Sequence, residues 1–254
     1  MKNTCPVAGC PGIACAAHDK GTCDLATCLD LRLSGHDLAQ ALGNAVDAKD
    51  HSTHTHSEEV AAVSRILARE LGMSSDEIET IHIAGHLHDI GKIGIPDDIL
   101  RKPGPLTPEE WLVIKRHPTI GADIVQPIRG LAPRNGIAGI IRHHHERWDG
   151  SGYPRGLAGH AIPVGARVIA VADSLSAMLQ HRPYCRPKTF EQALADIRRL
   201  CGVHYDPEIV AAMDRGRGNI AMTFSTMRRT HVAPRIHIHG LAPKTNHFHT
   251  EHAS

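Results

Sequence analysis

The sequence predicts an all-α domain with short irregular ends. Three observations predict it: apolar residues recur at three-to-four spacing, helix-start signatures punctuate the chain, and no succession of paired alternating segments competes with them. The expected organisation is a Cys-rich segment over 1–34, a helical domain over 35–215 and a His-rich tail over 216–254.

Taken in order, the head carries Cys5, Cys10, Cys15, Cys23 and Cys28 among Gly, Pro and Ala, with too few large apolar residues for a core. Its cysteines are separated by four, four, seven and four residues, whereas zinc ribbons use two-residue gaps. An unstructured reduced head and a metal, cluster or redox site both stay open. The stripe Val60, Val63, Ile66, Leu67 and Leu71 predicts one amphipathic helix, and Ile78, Ile81 and Leu87 another. Ser74 with Glu77, Thr107-Pro108 with Glu110, Thr189 with Gln192, and Asp206-Pro207 mark helix starts. Val168-Ile169-Ala170-Val171 has strand-like composition but no strand partners, so it reads as buried helix. Loops are expected over 94–105 and 149–163. Beyond 216 the chain reads as irregular, with His231, His237, His239, His247, His249 and His252 in a solvated or loosely metal-binding tail.

Composition narrows the function classes. A net charge of +1 without a basic block offers no surface for long nucleic acid. The most apolar run, Ala161 to Ala172, is broken by Pro163 and Arg167, which excludes a membrane span there. The N-terminus lacks a basic stretch followed by an apolar one, so no signal peptide is expected and a cytoplasmic location follows. With 21 histidines and only 3% aromatics, the composition is suited to metal chemistry.

The residues that can carry such chemistry start with His88-Asp89. Imidazole and carboxylate both suit a divalent transition metal, and a carboxylate can bridge two ions. Lys92 follows Asp89 by three residues, on nearly the same helix face, where its ammonium can reach a phosphate or a leaving oxygen. His56 near a helix start, His117 before Pro118 at a helix end, and His144-His145 on a third helix supply further ligands. Asp173 follows an apolar run, and a carboxylate there needs a partner. Five histidines and two aspartates suit two octahedral ions sharing Asp89 and a hydroxide. His82 and His86, four apart, are read as helix packing or surface residues, as are His51 and His54.

These motifs occur together and in order: His88-Asp89-Ile90-Gly91-Lys92, Ile95-Pro96-Asp97, Lys115-Arg116-His117-Pro118, His144-His145-Glu146, Gly152-Tyr153-Pro154, Val171-Ala172-Asp173 and Arg182-Pro183-Tyr184. From about Asp50 to Val210 the chain resembles the HD-GYP family of HD phosphohydrolases. The resemblance implies an HD-type helical bundle with a binuclear metal site, and hydrolysis of cyclic di-GMP to pGpG or GMP by a metal-bridging hydroxide. It implies one divalent ion on His56, His88, Asp89 and Asp173 and a second on Asp89, His117, His144 and His145, with iron or manganese expected. Asp89 and Lys92 would be catalytic, Lys92 and Arg182 would hold phosphate, and Tyr153 would shape the guanine side of the pocket. A homodimer or a signalling-protein partner is compatible with this reading.

Four departures stand out. Ser52 occupies a position where some members carry a carboxylate that supports a third metal, so two ions are expected. Ser176 replaces a common second Asp, which predicts a looser site. Cys185 replaces a basic residue after Tyr184, with Arg186 next. His143 stands where an aromatic residue is usual and is not expected to ligate. Two rivals follow: a catalytically weak, metal-loaded sensor of the nucleotide, and a phosphodiesterase for another cyclic dinucleotide.

Overall fold

Apolar stripes decide which helix faces meet. In the computed structural model, residues 35–50, 55–128, 136–180 and 186–230 are described. They form α1 (Gly35–Asp50), α2 (His56–Glu70), α3 (Ser75–Leu87), a 3-10 turn (Ile90–Gly94), α4 (Asp97–Leu100), α5 (Pro108–Ile114) and α6 (His117–Val125). The chain continues through α7 (Ile137–His143), a second 3-10 turn (Gly159–Ala161), α8 (Val164–Leu179), α9 (Phe190–Arg199) and α10 (Pro207–Thr230). Among the described residues the only β pairing is an isolated Cys201–Tyr205 bridge, and no helix is long and apolar enough to cross a membrane.

The helix starts follow the expected capping chemistry. The Ser74 hydroxyl accepts from the Glu77 amide while the Glu77 carboxylate accepts from the Ser74 amide at 2.9 Å, and the same reciprocal boxes open α5 at Thr107 and α9 at Thr189. Asp206 opens α10 by accepting from the Glu208 amide at 2.8 Å, and its other oxygen pairs with Arg167. α2 is capped from outside: Asp47 of α1 accepts from the Ser57 amide at 2.9 Å and from its hydroxyl at 2.8 Å. One helix thus anchors the start of the next, beside His56.

α2 is the central element, packed against α3, α8 and α10. Val60, Val63 and Leu67 meet Val168, Ile169, Val171 and Leu175 in one core, all fully buried. Each such side chain contributes about 1.5–3 kcal/mol on leaving water. The strand-like run at 168–171 is therefore buried helix, as its lack of strand partners predicted.

Four local expectations are corrected. α10 runs to Thr230, so the stretch expected to be irregular from 216 is helical to that point, with Ile220 and Phe224 buried. The polar, Gly-containing stretch 215–219 conceals a stripe that continues from Ile209 and Met213. His117 opens α6 rather than closing a helix, since Pro118 is tolerated in a first turn. His144 and His145 lie just past the end of α7. The loops at 94–105 and 149–163 contain α4 and the second 3-10 turn. The Cys-rich head and the tail histidines lie outside the described residues.

Candidate metal centre

The centre is assembled from segments that only close packing can bring together. α3 ends at His88, and Asp89 leads into the 3-10 turn. Gly91 lets that turn press on the start of α6: a Cβ there would sit 1.9 Å from the His117 carbonyl oxygen. As a result Asp89 reaches both neighbours, with Oδ1 at 3.3 Å from His117 Nε2 and Oδ2 at 3.3 Å from His88 Nε2. His56 at the start of α2 meets Asp173 of α8, Nε2 to Oδ1 at 3.2 Å.

All seven residues expected as ligands stand together. Their donor atoms form two groups, Asp89 with His117, His144 and His145, and His56 with His88 and Asp173, each within 4.8 Å. The groups adjoin through the His88–Asp89 contact. The Nδ1–H groups of His88, His117 and His144 donate to the carbonyls of Gly85, Ile114 and Ile141 at 2.7–2.8 Å. Each Nε2 is thereby turned inward, and all three are buried without a hydrogen-bond partner. Imidazole lone pairs facing carboxylate oxygens repel unless a proton or cation lies between them. The donor set therefore fits divalent metal, with imidazole and carboxylate in the mixture that transition ions accept.

The protonation pattern has the same origin. Burial alone would lower His88, but the carboxylates of Asp89 and Asp173 outweigh it and raise its pKa to about 9 without metal. Burial and the neighbouring His117 push His145 down to about 3, and burial with His145 holds His144 well below its usual value. Burial opposes the charge of Lys92, yet Asp89 at 2.8 Å and Asp50 at 2.5 Å raise its pKa well above the ordinary lysine value. Lys92 is thus a fixed ammonium, suited to electrostatic work rather than proton transfer.

His56 is oriented by a relay. Its Nδ1 lies 2.9 Å from the Ser176 hydroxyl, which donates to Glu59 Oε2 at 2.7 Å. Gln180 donates to the same Glu59 oxygen at 3.1 Å. The acid missing at position 176 is therefore supplied from α2 by Glu59, 117 residues away in sequence. No local spacing could have pointed to it.

Beside the centre opens a cavity of about 810 Å³, lined by Trp111, Leu112, Lys115, His145, Arg147 and Tyr153. A smaller one of about 150 Å³ shares His145 and Arg147 and reaches Asp173 and Tyr205. Tyr153 stacks toward His145 with ring centroids 4.9 Å apart, and Lys115 Nζ lies 5.5 Å from the Tyr153 ring. The tyrosine loop is held by buried Glu146, which accepts from the amides of Arg155 at 2.8 Å and Leu157 at 3.1 Å. Gly152 presses so close that a Cβ would meet the Arg147 amide at 2.3 Å. Trp111, Lys115 and Arg147 were not legible in the sequence as lining residues. Trp111, one of two tryptophans in a chain with 3% aromatics, was the available signal.

Ser52, Arg182 and Cys185 lie outside the described residues. His143 belongs to neither donor group and donates through Nδ1 to Gly139 at 2.8 Å. His82 and His86 are not surface residues: both are buried and face His36.

The sequence pattern of the HD domain matches residues 40–209. The chain belongs to the HD domain family. A cyclic di-GMP phosphodiesterase from Thermotoga maritima is 47% identical over 176 residues, covering 69% of this chain and 48% of the relative. The 3'3'-cGAMP-specific phosphodiesterase 2 of Vibrio cholerae is 38% identical over 182 residues, covering 72% of this chain and 35% of the relative. The HD chain thus spans about half the length, or less, of these curated relatives. A crystal structure of a cyclic GMP-AMP-specific phosphodiesterase from V. cholerae shares the fold, with a TM-score of 0.58 at 19% identity over 78% of this chain and 54% of that one. The motifs of this HD domain from His88-Asp89 to Gly152-Tyr153-Pro154 and Val171-Ala172-Asp173 resemble those of the HD-GYP branch.

Proposed function

We propose that this HD domain hydrolyses a phosphodiester bond of a cyclic dinucleotide, cyclic di-GMP foremost, to pGpG or GMP. The observation that carries the reading is a seven-donor centre opening onto a groove that has both cations and aromatic faces. Two divalent ions held by His56, His88, Asp89, His117, His144, His145 and Asp173 would supply Lewis-acid charge and an acidified water for attack on phosphorus. The mixed imidazole and carboxylate donors suit iron or manganese.

The chain's own residues do the rest. Lys92, fixed by Asp50 and Asp89, keeps positive charge beside the reacting phosphate. Lys115 and Arg147 line the groove where a second phosphate would lie. Trp111 and Tyr153 offer ring faces on which purines stack. Buried His144 and partly buried His145 stay neutral and so keep their nitrogen lone pairs available. Arg182 is retained in this reading as a phosphate contact.

Both cyclic di-GMP and 3'3'-cGAMP appear in the relatives' names, and competition separates them. The metal-loaded protein is given equal amounts of both, and linear products are resolved by chromatography. Preferential cleavage of cyclic di-GMP, absent from the Asp89→Ala protein, is expected. Preference for 3'3'-cGAMP would change the substrate, and cleavage that survives Asp89→Ala would sink the proposal.

A further inference from the structure

Away from the seven-donor centre, three more histidines converge. His82 and His86 lie one turn apart on the same face of α3, and His36 sits in the first turn of α1. The His36 ring is 4.9 Å from His82 and 5.2 Å from His86, and His82 is 4.9 Å from His86, centroid to centroid. One nitrogen from each lies within 4.8 Å of the others. Ordinary packing would hide imidazoles among apolar side chains with each nitrogen partnered. Here His86 is 2% exposed and both its ring nitrogens are buried without a hydrogen-bond partner. That arrangement is costly in a neutral core.

The rings are also oriented. His82 Nδ1–H donates to the Ala61 carbonyl at 3.0 Å, which leaves Nε2 turned toward His36, 2.9 Å from its Nε2. A backbone acceptor that fixes the tautomer of a ligating histidine is a recurrent feature of metal sites. We propose that His36, His82 and His86 form a separate site for a zinc-type divalent ion that ties α1 to α3. Three imidazoles with no carboxylate among the donors select zinc over manganese, in contrast to the mixed donors of the first centre. The half-exposed His36 side leaves a fourth position to water.

The site has a structural consequence. α1 also carries Asp47, which caps α2 beside His56, and Asp50, which holds Lys92. Zinc at the start of α1 fastens the helix whose other end supports the first centre.

The test uses the full chain with zinc as the probe, comparing wild type with His36→Ala and His86→Leu. Cysteines and histidines of the ends are common to all three proteins and cancel in the comparison. Elemental analysis after dialysis is expected to show one equivalent of zinc fewer in each variant. Zinc at about 100 times its Kd is expected to raise the wild-type Tm by about 5–10 °C more than that of either variant. Cobalt substitution gives a second readout, an intense tetrahedral d–d spectrum lost from both variants. If His86→Leu fails to fold, His36→Ala at the half-exposed helix start carries the test alone. Zinc content and zinc-dependent Tm equal to wild type in the folded variants would overturn the proposal.

Discussion

Ser176 shows how much one hydroxyl can decide. It carries the hydrogen bond of His56 to Glu59, and without it the imidazole loses the group that orients it. Ser176→Ala is expected to weaken metal binding by about 10- to 100-fold, the usual cost of losing an orienting partner, as read by metal titration with a competing chelator. Unchanged affinity would show that Gln180, 3.4 Å from the same nitrogen, suffices. His88 makes a second prediction. Its pKa near 9 in the metal-free protein means that it is charged at pH 7, and ligation must expel that proton. His145, held at about 3, has none to lose. Metal affinity is therefore expected to rise with pH up to about 9, by about tenfold per unit for one proton. Calorimetry in two buffers of different ionisation enthalpy should show proton release on binding, and none released would contradict the assignment. The departure at 176 was legible in sequence, but its remedy was not, because Glu59 is near Ser176 only after α2 packs on α8.

Among the elements, the 3-10 turn after α3 and the short helix α5 have distinct tasks. The turn presses Asp89 against His117 through Gly91, and Gly91→Ala forces a methyl group into a backbone carbonyl. Destabilisation by about 1–3 kcal/mol or more is expected from such overpacking, with loss of metal, measured by denaturant unfolding with and without the ion. α5 presents Trp111 to the groove, 48% exposed. Trp111→Ala is expected to raise KM by about 5- to 150-fold with little change in kcat, since base stacking contributes about 1–3 kcal/mol to binding. A fall in kcat instead would place the tryptophan's role in the chemical step. Capping boxes made the starts of α3, α5 and α9 readable, because both partners lie within one turn of sequence. α10 was readable at its Asp206-Pro207 start but not at its end, where Arg215, Gly216, Arg217, Gly218 and Asn219 interrupt the apolar stripe that Ile220 and Phe224 resume.

For the molecule as a whole, the chemistry was more legible than its surroundings. His88-Asp89, His144-His145 and Asp173 announce a metal centre by residue type and order, and packing brings all seven expected donors together. The groove was not readable, since Trp111 and Lys115 precede the GYP loop by some forty residues and meet Tyr153 only across the fold. Nor was the His36–His82–His86 cluster, whose third member comes from a different helix. In the proposed function these seven residues would hold two ions for hydrolysis of a cyclic dinucleotide. The most direct test of that function is turnover of cyclic di-GMP against equivalents of manganese or ferrous iron added anaerobically to the metal-free protein. Turnover should stay low up to one equivalent at the centre, rise with the second, and be absent at any loading in Asp89→Ala. Full activity at one equivalent, or no product from cyclic di-GMP or 3'3'-cGAMP with both positions filled, would contradict it.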